Sequence, residues 1–349
     1  MRQALAALGL IAALAVAPLG AVRAQGFEDD RLFPAAGPEQ GRLAILSTTD
    51  TEVFAPVLQG FQDANPGIAL RYTVTGSADL YALLAADAPA GFDLAISSAM
   101  DLQMKLANDG LALPHALAQP AALPRWARWQ DRLFAFTQEP VGILLSRAAL
   151  GDLPPPRSRQ DLIALMRDHP ERFDRRIGTY DPRASGAGYL FAAQDARLSD
   201  TFWRLAEQMG GLHPRLYSGT ADMIADLAAG ELTLAYNVLG SYAAPRVADR
   251  PDILLIEPQD HTLTLLRTAL IPRGAARPDL ASAFIDYLLS SAGRTALRDG
   301  AGLPPVDGAA LARAPHHRAI RLDPGLLVFL DPLQRQRFIA EWSAALLQP

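Results

Sequence analysis

The chain contains no cysteine among its 349 residues. That absence excludes disulfides, thiolate metal centres and cysteine nucleophiles together. Lysine is almost missing too: Lys105 is the only one, so the positive charge is nearly all arginine, a usage that carries no functional weight by itself. The formal net charge is only −5, and a mildly acidic surface is a poor match for nucleic acid. Neither a Gly-x-Ser-x-Gly elbow nor a His-Glu-x-x-His helix is present, which removes the commonest signatures of serine and zinc hydrolases. The six histidines, at 115, 169, 213, 261, 316 and 317, fall in or near predicted loops without metal-ligand spacing, and His316-His317 reads as a solvated loop pair, with an adventitious metal site as the weaker alternative. After the first residues there is no internal repeat, no low-complexity tract and no apolar run long enough to cross a bilayer.

What is present begins with a leader. Arg2, an apolar stretch over residues 5–16 and the small-residue pattern Val22-Arg23-Ala24 read as a secretory signal peptide covering 1–24. Its removal takes away Arg2 and Arg23 and moves the formal charge from −5 to −7. With no cysteine to carry a lipid anchor, the expectation is a soluble, exported, monomeric protein of a Gram-negative periplasm, with no membrane insertion. Half of the residues are hydrophobic, 50%, enough for a substantial core, and the length suggests two domains.

Three β-loop-α units follow one another. Residues 25–40 are polar and read as loose, and the first strand is Leu43-Ala-Ile-Leu46, running into Ser47-Thr-Thr-Asp50. Thr49 and Glu52 have the spacing of a capping box for the helix that carries Val53, Val57, Leu58 and Phe61. The second unit is a strand over 70–74, a turn at Gly76-Ser77 and a helix over 78–86. The third is a strand over 92–96, Ser97-Ser98, and a helix over 100–108. Such alternation implies a mostly parallel sheet covered by helices, and ligands collect at the carboxyl ends of strands in such sheets. Ser47, Thr48, Thr49, Ser77 and Ser98 stand there.

The alternation resumes after residue 146. Ile177-Gly-Thr-Tyr180 is a short strand, Asp181-Pro182 stops it, and Ser185 caps a helix starting at Gly186. The free N–H groups of that helix start, with Arg183 beside them, make an anion site. Ser218-Gly219-Thr220 opens another helix, and a strand over 231–237 hands over at Leu239-Gly240-Ser241. The second rim therefore comprises Arg183, Ser185, Gly186, Ser218, Thr220, Asn237 and Ser241. Residues 263–271 read as one long crossing strand, so the chain is expected to pass between the two units twice, near Phe136 and Leu265. Residues 325–347 form an amphipathic, surface-covering helix.

These pieces resemble the type II periplasmic solute-binding proteins of ABC importers, in the branch of ferric-ion, phosphoglycerate and hexose-phosphate binders. The resemblance spans the chain after the leader. It rests on Ile45-Leu-Ser-Thr-Thr49, Gly91-Phe-Asp-Leu-Ala-Ile-Ser-Ser98, Gly110-Leu111, Ile177-Gly-Thr-Tyr-Asp-Pro-Arg-Ala-Ser-Gly186, Leu234-Ala-Tyr-Asn-Val-Leu-Gly-Ser-Tyr242 and Ala281-Ser-Ala-Phe-Ile-Asp-Tyr-Leu-Leu-Ser-Ser291. It implies an α/β fold of two lobes, each a mostly parallel sheet flanked by helices, joined by two hinge strands around a ligand cleft. The first lobe would hold residues 25–136 plus 266–349 and the second 137–265. It implies a binding protein with no cofactor, delivering its ligand to transporter permease subunits or presenting it to a membrane sensor kinase. An exported hydrolase is the weaker competitor. Ferric binders of this branch use an adjacent tyrosine pair, and this chain has no Tyr-Tyr step; Tyr217 and Tyr236 are isolated. Neutral hydroxyls with one arginine suit an organic anion, an organophosphate or carboxylate, better than bare ferric iron.

Overall fold

The computed structural model describes residues 26–86, 90–119 and 123–348. The leader lies outside the described residues. No described helix is long and apolar enough to cross a membrane.

Two mixed sheets, each flanked by helices, organise the chain. The first runs, in spatial order, Asp29–Phe33, Ile68–Val74, Gly41–Ser47, Leu94–Ser97, Thr268–Pro272, Leu133–Ala135 and Arg128–Trp129. Its parallel part is Ile68–Val74, Gly41–Ser47 and Leu94–Ser97, the product of the successive β-loop-α units. The second sheet runs Arg215–Tyr217, Ile177–Tyr180, Leu234–Leu239, Glu139–Ser146, Thr262–Leu265 and His317–Ala319. Here Arg215–Tyr217, Ile177–Tyr180 and Leu234–Leu239 are parallel. Antiparallel pairing in the middle of both sheets comes from strands that arrive from, or leave for, the other sheet. Thr268–Pro272 pairs antiparallel with Leu94–Ser97, and Glu139–Ser146 with Leu234–Leu239.

The polar segment read as loose contains an edge strand, Asp29–Phe33, antiparallel to Ile68–Val74. Its partners are charges, not a buried stripe: Asp30 accepts from Arg71 and from Thr73 Oγ1 at 2.7 Å. An edge facing solvent needs no apolar pattern, which is why it was invisible to one. The first long helix, Thr51–Ala64, buries Phe54, Val57, Leu58 and Phe61 at helical spacing. It begins one residue later than the Thr49 capping box implies: Asp50 is the cap residue, Glu52 pairs with Arg31, and Thr49 is engaged elsewhere.

The expected single strand over 263–271 is two strands in different sheets, Thr262–Leu265 and Thr268–Pro272, separated by Leu266 and Arg267. The other crossing is residues 136–138, between Leu133–Ala135 and Glu139–Ser146. A third segment runs alongside them. Thr137 bridges to Pro305, Gln138 N donates to Pro304 O at 2.8 Å, and Val306 N donates to Phe136 O at 3.2 Å. The hinge therefore has three strands of chain where two were expected.

The return of the C-terminal part is divided. Helix Pro278–Leu289 packs on the first lobe, its Phe284 and Tyr287 rings 4.8 and 5.6 Å from Phe61. Helix Pro332–Leu346 instead joins the second core: Phe338, Trp342 and Leu346 cluster with Phe202, Leu205 and Met209 of helix Thr201–Gly210. Assigning all of 266–349 to the first lobe is thus corrected for the last helix and for strand His317–Ala319. An aromatic stripe docks on whichever lobe offers the complementary one.

Candidate functional site

The carboxyl ends of the two parallel segments face one chamber of about 400 Å³. The first lobe contributes Glu28, Thr48, Asp50, Thr75, Gly76, Ser77 and Ser98, and the second Tyr180, Ser185, Ser218, Thr220, Asp222 and Tyr242. Most of these stand at helix starts, because each strand hands its chain to a helix at this rim. Helices Thr51–Ala64, Ser77–Ala85, Thr220–Ala228 and Gly240–Val247 have cap residues whose side chains do not bond the first turn. Their leading N–H groups are available to a guest, with the positive end of each helix behind them. Ser185 differs: its Oγ accepts from Gly188 N at 3.2 Å, closing its own helix start. Thr48 Oγ1 accepts from Ser98 N at 3.2 Å and so ties two loops of the rim together. Thr220 Oγ1 is hydrogen-bonded to Tyr180 Oη.

The chamber is acidic. Burial, then the neighbouring Asp50 and Asp79, push the Glu28 carboxyl up from its ordinary range. Burial also raises Asp50, against the opposing pull of Arg246 and Arg267. The only arginine lining the chamber, among the described residues, is Arg267, and it is already neutralised. Its Nε and Nη2 donate to Glu139 at 3.0 and 3.1 Å, and its Nη1 to Thr49 Oγ1 at 2.6 Å. Glu139 also accepts from Thr137 Oγ1 at 2.7 Å and from Ser241 Oγ. Burial opposes the charge on Glu139, but Arg267 and these donors outweigh it and hold the carboxyl below its usual range. Thr49 and Ser241 thus belong to a buried knot at the hinge, not to the chamber wall. Ser47 is likewise internal, accepting from Thr49 N and Tyr72 Oη at 3.0 and 2.7 Å.

A second chamber of about 260 Å³ meets the first at Ala184 and Ser185. It is lined by Lys105, Arg183, Arg335, Asp101, Tyr81 and Tyr189 among others. Arg183 lies here, its guanidinium held bidentate by Asp181 at 2.8 and 2.7 Å and its plane over Trp342. Asp101 is 2% exposed with Oδ1 unpartnered, and burial pushes its carboxyl up to about 7. Gly186 touches the other lobe: a Cβ there would lie 2.6 Å from Ser77 Oγ and 3.3 Å from Ala99 Cβ.

Asn237 and Tyr236 sit inside the second lobe. A bulge between Ala235 and Val238 puts Asn237 at φ 63°, and its Nδ2 donates to Asp195 at 2.9 Å. Tyr236 Oη donates to Asp195 at 2.8 Å and accepts from Arg159 Nε at 2.7 Å. Tyr217 bonds Asp226 and does not line the chamber.

Of the expected residues, then, Thr48, Ser77, Ser98, Ser185, Ser218 and Thr220 come together around one space. Ser47, Thr49, Asn237, Ser241, Tyr217 and Tyr236 are spent on internal bonds, and Arg183 and Gly186 line the neighbouring chamber. Thr75, Tyr180 and Tyr242 were overlooked, although strand ends and helix starts place them, with Asp50, at the same rim. Glu28 and Arg267 had no local signal.

The sequence profile described as bacterial extracellular solute-binding protein matches residues 43–300. No curated protein matches the chain's sequence at a significant level. The chain is similar to the substrate-binding protein of an ABC transporter from Agrobacterium tumefaciens, at 32% identity over 92% of this chain and 98% of that one, TM-score 0.85. The fold is shared with the periplasmic binding protein AfuA from Actinobacillus pleuropneumoniae, solved with fructose-6-phosphate, at 19% identity over 89% and 100% of the two chains, TM-score 0.70. It is shared as well with iron-bound HitA from Pseudomonas aeruginosa, at 15% identity over 87% and 99%, TM-score 0.67.

Proposed function

Because the chain belongs to the bacterial extracellular solute-binding family and is a substrate-binding protein of an ABC transporter, not an enzyme, we propose that it captures a small zwitterionic organophosphate or carboxylate in the periplasm and hands it to the transporter's permease subunits. The observation that carries this reading is the pairing of uncapped helix starts with unneutralised acids in one chamber. Helix N–H groups and the hydroxyls of Thr48, Ser77, Ser98, Ser218 and Thr220 suit an anionic head. Glu28, Asp50 and Asp222 suit an ammonium or hydroxyl-bearing tail, which would offset the burial that raises the Glu28 and Asp50 carboxyls.

The fructose-6-phosphate of AfuA fits the anionic half of this reading. The iron of HitA supports a second one, since Tyr180, Tyr242 and three carboxylates line the chamber. Burial, however, pushes both tyrosine hydroxyls up and away from the tyrosinate form that ferric iron takes.

A thermal-shift screen over amino acids, aminophosphonates, sugar phosphates, simple di- and tricarboxylates, amines and ferric salts tests the proposal. The zwitterions should give the largest stabilisation, about 2.7 kcal/mol at a hundredfold excess over Kd. A response confined to amines, or to iron with a charge-transfer colour, would overturn it.

A further inference from the structure

The second lobe gathers three metal-ligating side chains that the solute chambers leave unused. Glu257 directly follows strand Ile253–Ile256, and His316 and His317 lead into strand His317–Ala319. The backbone fixes both histidines. His317 stands opposite Thr262 in the parallel pair, Thr262 N donates to His316 O at 2.9 Å, and His317 N donates to Ala314 O at 2.9 Å. Consecutive strand residues project to opposite faces, but His316 precedes the strand, so both rings reach the same side, edge to face with centroids 4.6 Å apart.

One ligand atom from each of Glu257, His316 and His317 lies within 4.8 Å of the others. His317 Nε2 and Glu257 Oε2 are 2.9 Å apart, and that bond, followed by the charges of His317 and His316, holds the Glu257 carboxyl below its ordinary range. Among the described residues Glu257 has no arginine or lysine in an ion pair. The neighbouring Arg318 turns its guanidinium to the carbonyls of Pro315 and His317.

We propose that Glu257, His316 and His317 form a site for one divalent transition-metal cation of the zinc class. Two imidazoles and a carboxylate select zinc, copper or nickel over calcium and magnesium, which take all-oxygen shells. Tetrahedral bonds of about 2.0–2.2 Å need ligand atoms roughly 3.4 Å apart, so small side-chain rotations close the site. Coordination replaces the His317–Glu257 hydrogen bond and joins the end of one strand to the start of another. That second strand is only three residues long and stands at the sheet's edge, so the ion would pin the returning chain to the second lobe.

The test is calorimetric titration of Zn²⁺ into the mature chain without a histidine tag, with Co²⁺ absorption as a second readout. One equivalent is expected, with a visible d–d band. His316→Gln, His317→Gln and Glu257→Gln, each checked for a native circular dichroism spectrum, should each weaken binding at least about tenfold and remove the band. The His169→Gln/His213→Gln double variant should leave both unchanged. No uptake at about 1 mM zinc, or equal uptake in the three site variants, overturns the proposal. Neither result bears on solute binding, because none of these residues lines the chambers.

Discussion

The two chambers that meet at Ala184 and Ser185 are both lined from the two lobes, yet the charged side chains are mainly carboxylates in one and mainly basic in the other. The larger has Glu28, Asp50 and Asp222, with Arg267 locked to Glu139; the smaller has Lys105, Arg183 and Arg335. An arginine nearby is therefore no sign of anion binding. Arg183 is held bidentate by Asp181 and presents little net charge, and Lys105 is held by Asp109 at 2.6 Å. In the larger chamber, helix starts supply donors without adding net charge, and on the proposed reading the acids would then select a cationic tail.

The strongest way to break this comparison is at Arg267. In Arg267→Met the buried Glu139 loses its partner, and stability should fall by about 3–5 kcal/mol in chemical denaturation. A loss comparable to that of an exposed pair would mean that the hinge knot is wet. Next, Gly186→Leu should hold the lobes apart at Ser77 and Ala99. Overpacking of this kind costs about 1–3 kcal/mol, so solute affinity should drop roughly ten- to hundredfold, with scattering showing an expanded molecule; full affinity would remove Gly186 from the closing contact.

The smaller chamber is sharpened by pH. The Asp101 carboxyl is raised to about 7, so between its unfolded value near 4 and about 7 the folded state binds the extra proton, and stability falls as pH rises through that window. Asp101→Asn should flatten that slope and stabilise the protein at pH 8 by on the order of 1–2 kcal/mol. Glu139 has the opposite sign: its lowered carboxyl contributes stability above the ordinary carboxylate range, and that contribution is lost as pH falls through the folded value. An unchanged slope in Asp101→Asn would mean that the carboxyl is solvated.

Local patterns carried the helices and strands well, as at Ser185, whose cap to Gly188 closes the helix that its position announces. The same rim logic found the hydroxyls of the larger chamber, since strand ends and helix starts are local features. What escaped is long-range. Arg267 and Glu139 are 128 residues apart in the chain, and the third hinge segment is defined by residues 304–306 meeting residues 136–138. Asn237 was misplaced because a bulge turns it inward toward Asp195. Arg183 is held by Asp181, only two residues away, in the smaller chamber.

The central claim is that the larger chamber holds the solute by neutral donors from both lobes. Its most direct test is titration of the solute identified by the thermal screen into two variants in parallel. Ser77→Ala/Ser218→Ala removes one chamber hydroxyl from each lobe. Each lost hydrogen bond costs about 0.5–1.5 kcal/mol, so affinity should fall roughly tenfold or more. Arg183→Ala should change affinity by less than about threefold, because it breaks only an exposed pair. The reverse order, a loss with Arg183→Ala and none with the serine pair, would contradict the account and place the solute in the smaller chamber.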